Sequence, residues 1–310
     1  MTPIVAVLGP TATGKSALAL MLAERLDGEI VNCDSTAVYQ GFDIGTDKVP
    51  AAERRGIPHH LIDVVPPTAE YNAADFARDA ARAIGGIHAR GRRPILVGGT
   101  GFYYRALTRG LFPGPGKDAA LRERLDRLAG RYGVERLHRR LAHVDPPSAA
   151  RIQARDLKRI VRALEVYYQT GRPLTAHFAD TVSPLGPDVA VTALALRLPA
   201  EALAARIAGR VDQQFDGGLL AEMRANMAAG VPESARPFGG LVYRQALEHL
   251  HGRRDEAATR ALIAQENRRY ARRQLIWFRK EPTLMWFEGP GESPGVQARV
   301  ADWLAERGLM

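Results

Sequence analysis

Eight consecutive residues carry the clearest chemistry in this 310-residue chain: Gly9-Pro10-Thr11-Ala12-Thr13-Gly14-Lys15-Ser16. They match G-x-x-x-x-G-K-[ST] in full. The glycines permit backbone conformations that aim successive N–H groups inward, which makes an anion nest. Lys15 adds a full charge near the outer phosphate, and the Ser16 hydroxyl suits magnesium, which binds few protein oxygens and keeps several waters. The pattern predicts a diphosphate or triphosphate ligand without saying which. Nucleotide hydrolases usually hold the metal with a second carboxylate at the end of a later strand. Here Ile95-Leu96-Val97 runs into Gly98-Gly99-Thr100-Gly101 with no Asp. That argues against an ATP-hydrolysing motor and leaves small kinases or diphosphate transferases.

Other candidates lie outside the loop. Asp34 ends the strand expected at Glu29–Cys33, and Thr100 sits on the glycine turn after Val97; both fall where parallel sheets meet their ligands. Arg206 and Arg210 are four apart on a helical stretch, so they share a face and suit a phosphate clamp. His59 and His60 are adjacent, and adjacent side chains on a strand point to opposite faces, so no metal site is expected there.

These residues need a scaffold. Ile4–Leu8 reads as a strand buried on both faces, followed by a helix over 16–26. Glu29–Cys33, 60–64 and 94–97 read as further strands, with a helix over 73–90 between the last two. Strands alternating with helices predict an α/β, P-loop NTPase-like parallel sheet with helices on both faces. After Pro113-Gly114-Pro115-Gly116 the pattern becomes wholly helical, with stretches at 121–132, 134–142 and 147–170. The sheet pattern returns at Val189–Leu198, and helices over 200–229 and 255–278, a strand at 283–287 and a helix at 296–307 follow. The expected organisation is a core domain of residues 1–114 and 186–310 with an inserted all-helical domain at 115–185.

Composition sets outer limits. At 46% hydrophobic and 25% charged residues the chain is ordinarily globular. Its apolar runs are too short to span a bilayer, and Met1 leads almost at once into a strand, so no targeting segment and no membrane partner are expected. The single cysteine, Cys33, excludes a disulfide framework and a multi-cysteine zinc site, fits a reducing cytoplasm, and reads as a buried strand residue. The formal charge of +9 points to a polyanionic partner such as nucleic acid. The cations cluster at Arg151, Arg155, Lys158, Arg159 and Arg162, and again at Arg268–Arg273, Arg279 and Lys280, interleaved with Tyr270, Trp277 and Phe278.

Several segments together resemble one family. Asp34-Ser35-Thr36-Ala37-Val38-Tyr39 and Gly41–Lys48 resemble the "DSxQxYxGxDIGTxKP" segment of bacterial tRNA dimethylallyltransferases. His59–Asp63, Tyr71–Phe76, Val97–Tyr103 ("VGGTgxY"), Arg162–Tyr167 ("RALEV") and Arg273–Arg279 ("RQxTWFR") are similar to its later segments, in order and over nearly the whole chain. Ala37 stands where many members carry Gln, Lys158 where Gln is usual, and Val242 where Gly is typical.

The resemblance implies transfer of a dimethylallyl group from dimethylallyl diphosphate to N6 of the tRNA adenosine just 3′ of the anticodon, position 37, with Mg²⁺ as cofactor, in the cytoplasm. It implies catalytic roles for Asp34 as general base, Thr100 and Lys15. It implies donor binding by Gly9–Ser16, Arg206 and Arg210. It implies tRNA contacts from Asp34, Ser35, Thr36, Ala37, Thr100, Lys158, Arg159, Arg162, Arg273 and Arg279. The chain is expected to act as a monomer. A small-molecule kinase on the same sheet and a non-catalytic RNA-binding module are the alternatives.

Overall fold

The computed structural model describes residues 3–310. Its six strands are β1 (Ile4–Leu8), β2 (Gly28–Asn32), β3 (His59–His60), β4 (Arg93–Gly98), β5 (Val191–Arg197) and β6 (Met285–Glu288). They form one sheet in the order β3-β2-β4-β1-β5-β6, and every pairing is parallel. Parallel strands need crossover connections, which α1 (Lys15–Arg25), α2 (Ala73–Ala89) and α3 (Gly101–Arg109) begin to supply.

The register brings the predicted residues together. Leu8 lies opposite Gly98 and Asn32 opposite Val97. The segments leaving β1, β2 and β4 therefore emerge side by side at the carboxyl edge of the sheet, where ligands bind such folds. The strand β1 is wholly buried, as its continuous apolar run requires. One apolar cluster joins the sheet to α1 and to α12 (Pro294–Ala305) through Leu18, Leu22, Val296 and Leu304. A second packs α8 (Ala200–Asp216), α9 (Leu219–Ala228), α10 (Leu241–Leu250) and α11 (Glu256–Phe278) around Phe42, Phe238 and Tyr243.

The chain forms two compact units, Met1–Thr108 with Pro184–Met310, and Arg109–Ser183. The second unit is helical: α4 (Ala119–Tyr132), α5 (Val134–Val144), α6 (Pro146–Arg151) and α7 (Leu157–Thr170). Leu125, Leu137, Leu141, Ile160 and Leu164 form its core. Its buried anion, Glu165, is held by Arg122 and Arg162 (2.7 Å each) and by the Asp118 N–H (2.8 Å), which together pull its pKa down to about 2 against the opposing effect of burial.

Several sequence expectations need correction. The stretch 147–170 is two helices, because Asp156 caps a new start by accepting from the Arg159 N–H. The stretch 200–229 is also two, broken where Gly218 adopts φ 97°. The strand expected at 60–64 ends after His60, because Leu61 and Asp63 are left-handed (φ 62° and 57°). Helices α3 and α10 were hidden by glycine-rich flanks. Cys33 is buried just past β2, and burial pushes its thiol pKa up. His60 bonds Glu29 (2.6 Å) and His59 the Ile57 carbonyl (2.8 Å).

Gly98 is needed for close approach. A Cβ there would sit 2.1 Å from the Cys33 carbonyl oxygen, the same oxygen that accepts the Thr100 N–H (3.2 Å). Gly98→Ala is expected to cost about 1–3 kcal/mol through overpacking, read as a lowered denaturation midpoint with an unchanged m-value.

Candidate active site

The loop after β1 has the backbone that its sequence predicts. Gly9 (φ 132°), Ala12 (φ 61°) and Gly14 (φ 82°) all have positive φ. Ala12 is a residue that rarely adopts this conformation, and such strain persists where the surroundings enforce it. Gly14 caps α1 without a side-chain hydrogen bond, and no acidic residue occupies the first turn. The first N–H groups of α1 are thus left for an anion, and the helix dipole favours one there. Lys15 donates to the Pro10 carbonyl (2.6 Å) across the loop. Burial, and secondarily the Arg210 guanidinium, draw its pKa down to about 7, with Asp34 and Asp47 opposing.

The loop opens into a cleft of about 1040 Å³ lined by Lys15, Ser16, Asp34, Arg210, Arg273 and Tyr270, among others. Both predicted clamp arginines reach it from α8. Arg210 donates to the Thr11 hydroxyl (2.5 Å) and pairs with Asp47. Arg206 donates to the Ala12 carbonyl (2.7 Å) and pairs with Glu292 (2.6 Å).

Asp34 leaves β2 on a turn fixed from three sides. Asn32, itself buried, donates to the Asp34 carbonyl (3.3 Å) and the Leu61 carbonyl (3.0 Å). Asp34 Oδ1 accepts from the Thr36 N–H (2.8 Å) and hydroxyl (2.6 Å). Among the described residues Oδ2 has no partner, so the carboxylate keeps one oxygen for a substrate. Thr100 lies behind this turn: its hydroxyl accepts the Ser35 N–H (3.2 Å). It holds Asp34 in place and is not among the residues lining the cleft. Ala37 is buried on the cleft wall.

The remaining predicted residues separate. Arg273 lines the cleft with its guanidinium 5.6 Å from the Tyr270 ring. Arg279, at the end of α11, is exposed and does not line it. Lys158, Arg159 and Arg162 belong to α7 of the helical unit. Lys158 and Arg159 are exposed, with Arg159 3.3 Å from Asp156, whereas Arg162 is committed to Glu165 and to the Pro115 carbonyl (3.1 Å).

Sequence reasoning missed the residues that tie the loop to its surroundings. Gln274, buried on α11, accepts the Thr11 N–H (2.9 Å) and donates to the Gly99 carbonyl (2.9 Å), joining the loop after β1 to the turn after β4. Its place in the motif Arg273–Arg279 was the available signal. Gln274→Ala leaves a donor and an acceptor unmatched; the expected cost is about 1–3 kcal/mol, checked by chemical denaturation, with a raised KM for a diphosphate substrate. Lys48 is also buried, between Asp43 (2.6 Å), Asp63 and the Tyr39 carbonyl (2.6 Å), and pins the Gly41–Lys48 segment to the cleft wall.

Comparison with known proteins matches this geometry to a family. The model of the IPP transferase family matches residues 37–281. The chain belongs to the IPP transferase family. It is 47% identical over 299 residues to the tRNA dimethylallyltransferase of Geobacter metallireducens, covering 96% of each chain. It is 48% identical to that of Anaeromyxobacter dehalogenans, covering 96% of this chain and 98% of the relative. Among solved structures it resembles the full-length tRNA isopentenylpyrophosphate transferase of Bacillus halodurans, at 34% identity and a TM-score of 0.71, covering 99% and 98% of the two chains. It also resembles a eukaryotic dimethylallyltransferase acting on tRNA, at 25% identity and a TM-score of 0.75, covering all of this chain and 78% of the other.

Membership makes the chain a transferase and gives the loop a donor to hold. The donor set also bears on a metal. Ser16 is exposed at the mouth of the loop, and among the described residues no group of three or more His, Cys, Asp or Glu side chains could cage an ion. One hydroxyl beside an anion nest fits a hard cation that keeps its waters and rides on phosphate oxygens. Among the described residues no helix is long and apolar enough to cross a membrane.

Proposed function

We propose that this chain transfers a dimethylallyl group from dimethylallyl diphosphate to N6 of adenosine 37 in tRNA, releasing diphosphate. The observation that carries the proposal is the pairing in one cleft of an anion nest with a carboxylate, Asp34, whose Oδ2 is uncommitted. The cleft volume of about 1040 Å³ is at the upper end for one small ligand, roughly 300–1,000 Å³, and suits a prenyl donor together with an extruded base.

The N6 lone pair attacks C1 of the dimethylallyl group, the C1–O bond breaks, and its electron pair leaves on the diphosphate. An exocyclic amine is a poor nucleophile because its lone pair is delocalised into the ring. Asp34 Oδ2 accepts the N6 proton as the new bond forms. Thr36 holds the other oxygen, and Thr100 fixes the turn, so the base needs no reorganisation at the moment of transfer. The loop N–H groups, Lys15, Arg206 and Arg210 meet the charge that grows on the leaving group. Ser16 would hold Mg²⁺ at the mouth of the loop, where the ion would supply neutralising charge to the leaving group.

Adenosine 37 must leave its stack to reach Asp34. Arg269 and Arg273, four apart on α11 and both facing the cleft, are placed to hold phosphates of the anticodon loop. Arg279 adds to it from the exposed end of α11, and the exposed Lys158 and Arg159 of the helical unit are proposed as tRNA contacts in their own right. Such a substrate suits a reaction in the cytoplasm, and the chain is proposed to act as a monomer.

The proposal is tested with [¹⁴C]dimethylallyl diphosphate and unmodified tRNA carrying adenosine or guanosine at position 37. Label is expected only in the adenosine form. Unlabelled RNA in both, or equal labelling, would refute it.

A further inference from the structure

Each clamp arginine arrives with its own carboxylate. Asp47 holds Arg210 from the cleft wall. Glu292 holds Arg206 (2.6 Å) from the segment between β6 and α12, beyond residue 281 where the family match ends. That segment is fastened to the phosphate loop by backbone, the Gly291 N–H donating to the Thr13 carbonyl (2.9 Å), and the Gln297 side chain of α12 steadies it by donating to the Gly291 carbonyl (3.2 Å). The fit is close. A Cβ on Gly14 would lie 2.0 Å from Glu292 Oε2, and one on Gly291 2.3 Å from the Gly14 carbonyl oxygen.

A carboxylate is thus held against an anion nest, where it opposes the ligand that the nest is built to bind. Stability does not explain it. The side chains of Arg206 and Glu292 are 38% and 44% exposed, and ion pairs so exposed contribute little to folding. The pair does solve two problems of the ligand-free site. Lys15 and Arg210 repel one another, Arg206 adds a third cation on the same loop, and a diphosphate held by all three would leave slowly.

We propose that Glu292 is a positioning residue for the diphosphate: it holds Arg206 in the empty site, yields it to the arriving donor, and reclaims it as diphosphate departs, so that it weakens product retention and speeds turnover. This rests on the reading that diphosphate is the leaving group in this cleft.

The test is a double-mutant cycle on inorganic diphosphate binding, by calorimetry with and without Mg²⁺, using the wild type, Glu292→Gln, Arg206→Ala and the double variant. Glu292→Gln is expected to tighten binding about fivefold or more, a usual size for such coupling, and to lower the product-inhibition constant of diphosphate equally. The gain should vanish in the Arg206→Ala background. In turnover, kcat should fall with KM for tRNA unchanged, and Glu292→Asp should restore both readouts. Unchanged affinity, or an equal gain without Arg206, would overturn the proposal. So would weaker binding confined to Mg²⁺ solutions, which would make Glu292 a metal ligand. A wild type that binds diphosphate with the predicted coupling but labels no tRNA would instead defeat the transfer reading and leave the exchange standing.

Discussion

Replacing Asp34 with alanine is expected to lower kcat by about 10²–10⁴-fold, the usual contribution of a positioned general base. Both kcat and kcat/KM should fall together, the pattern of an interaction made only in the transition state. The reason lies in how the carboxylate is divided. Thr36 occupies Oδ1 with two hydrogen bonds, leaving Oδ2 to take the proton. Asp34→Asn separates geometry from charge: its side-chain oxygen still accepts from Thr36, yet it offers no base. It should be as impaired as the alanine variant while binding diphosphate and tRNA normally. Single-turnover kinetics with saturating donor and tRNA measures this directly. An asparagine variant with near-normal chemistry would mean that Asp34 only shapes the turn.

Lys15→Ala is the second large effect. Removing the cation nearest the leaving group should cost about 10²–10³ in kcat, as for other preorganised donors to developing negative charge, and should raise KM for the donor. Its pH dependence has a definite sign. In the empty site burial and Arg210 bring the Lys15 pKa down to about 7. A bound diphosphate restores a partner and returns the pKa toward its ordinary value, so binding takes up a proton above pH 7. From this group, donor affinity should be flat below pH 7 and fall up to about tenfold per pH unit above it. Lys15→Arg, charged throughout, should lack that slope. Stability runs the other way. The unfolded chain binds the proton more tightly than the empty folded site, so this group adds stability as pH rises from about 7 towards 10.5. Diphosphate should flatten that rise. Thermal melts across this range, with and without diphosphate, check both statements.

The two residues were legible for different reasons. Lys15 belongs to a contiguous loop whose spacing alone specifies its chemistry, and the strand before it and the helix after it are local patterns. Asp34 could be placed because strand ends are local, and the parallel register then carries it beside the loop. Gln274 shows what local reading cannot reach. Its partner Thr11 is 263 residues away in sequence, and nothing in either segment reports that a helix near the end of the chain will satisfy a loop near its start. Asp47 and Glu292 are similar: an Asp after Thr46 and a Glu before Ser293 read as turn residues until the fold sets them against Arg210 and Arg206. Arg162 shows the converse. It looks like one more cation in a basic cluster, but its guanidinium belongs to a buried carboxylate three residues on. The split helices have a simpler cause, since apolar periodicity continues across Gly217-Gly218 and the 152–156 turn and hides the backbone change.

The loop at Gly9–Ser16 can serve cleavage at carbon or at phosphorus, and the account depends on which. A donor labelled with ¹⁴C in the dimethylallyl group and ³²P in the β-phosphate decides it in one reaction with tRNA. The account predicts ¹⁴C on N6 of adenosine 37 and all ³²P in released diphosphate. Recovery of ³²P on the RNA, or on any other acceptor, would contradict it.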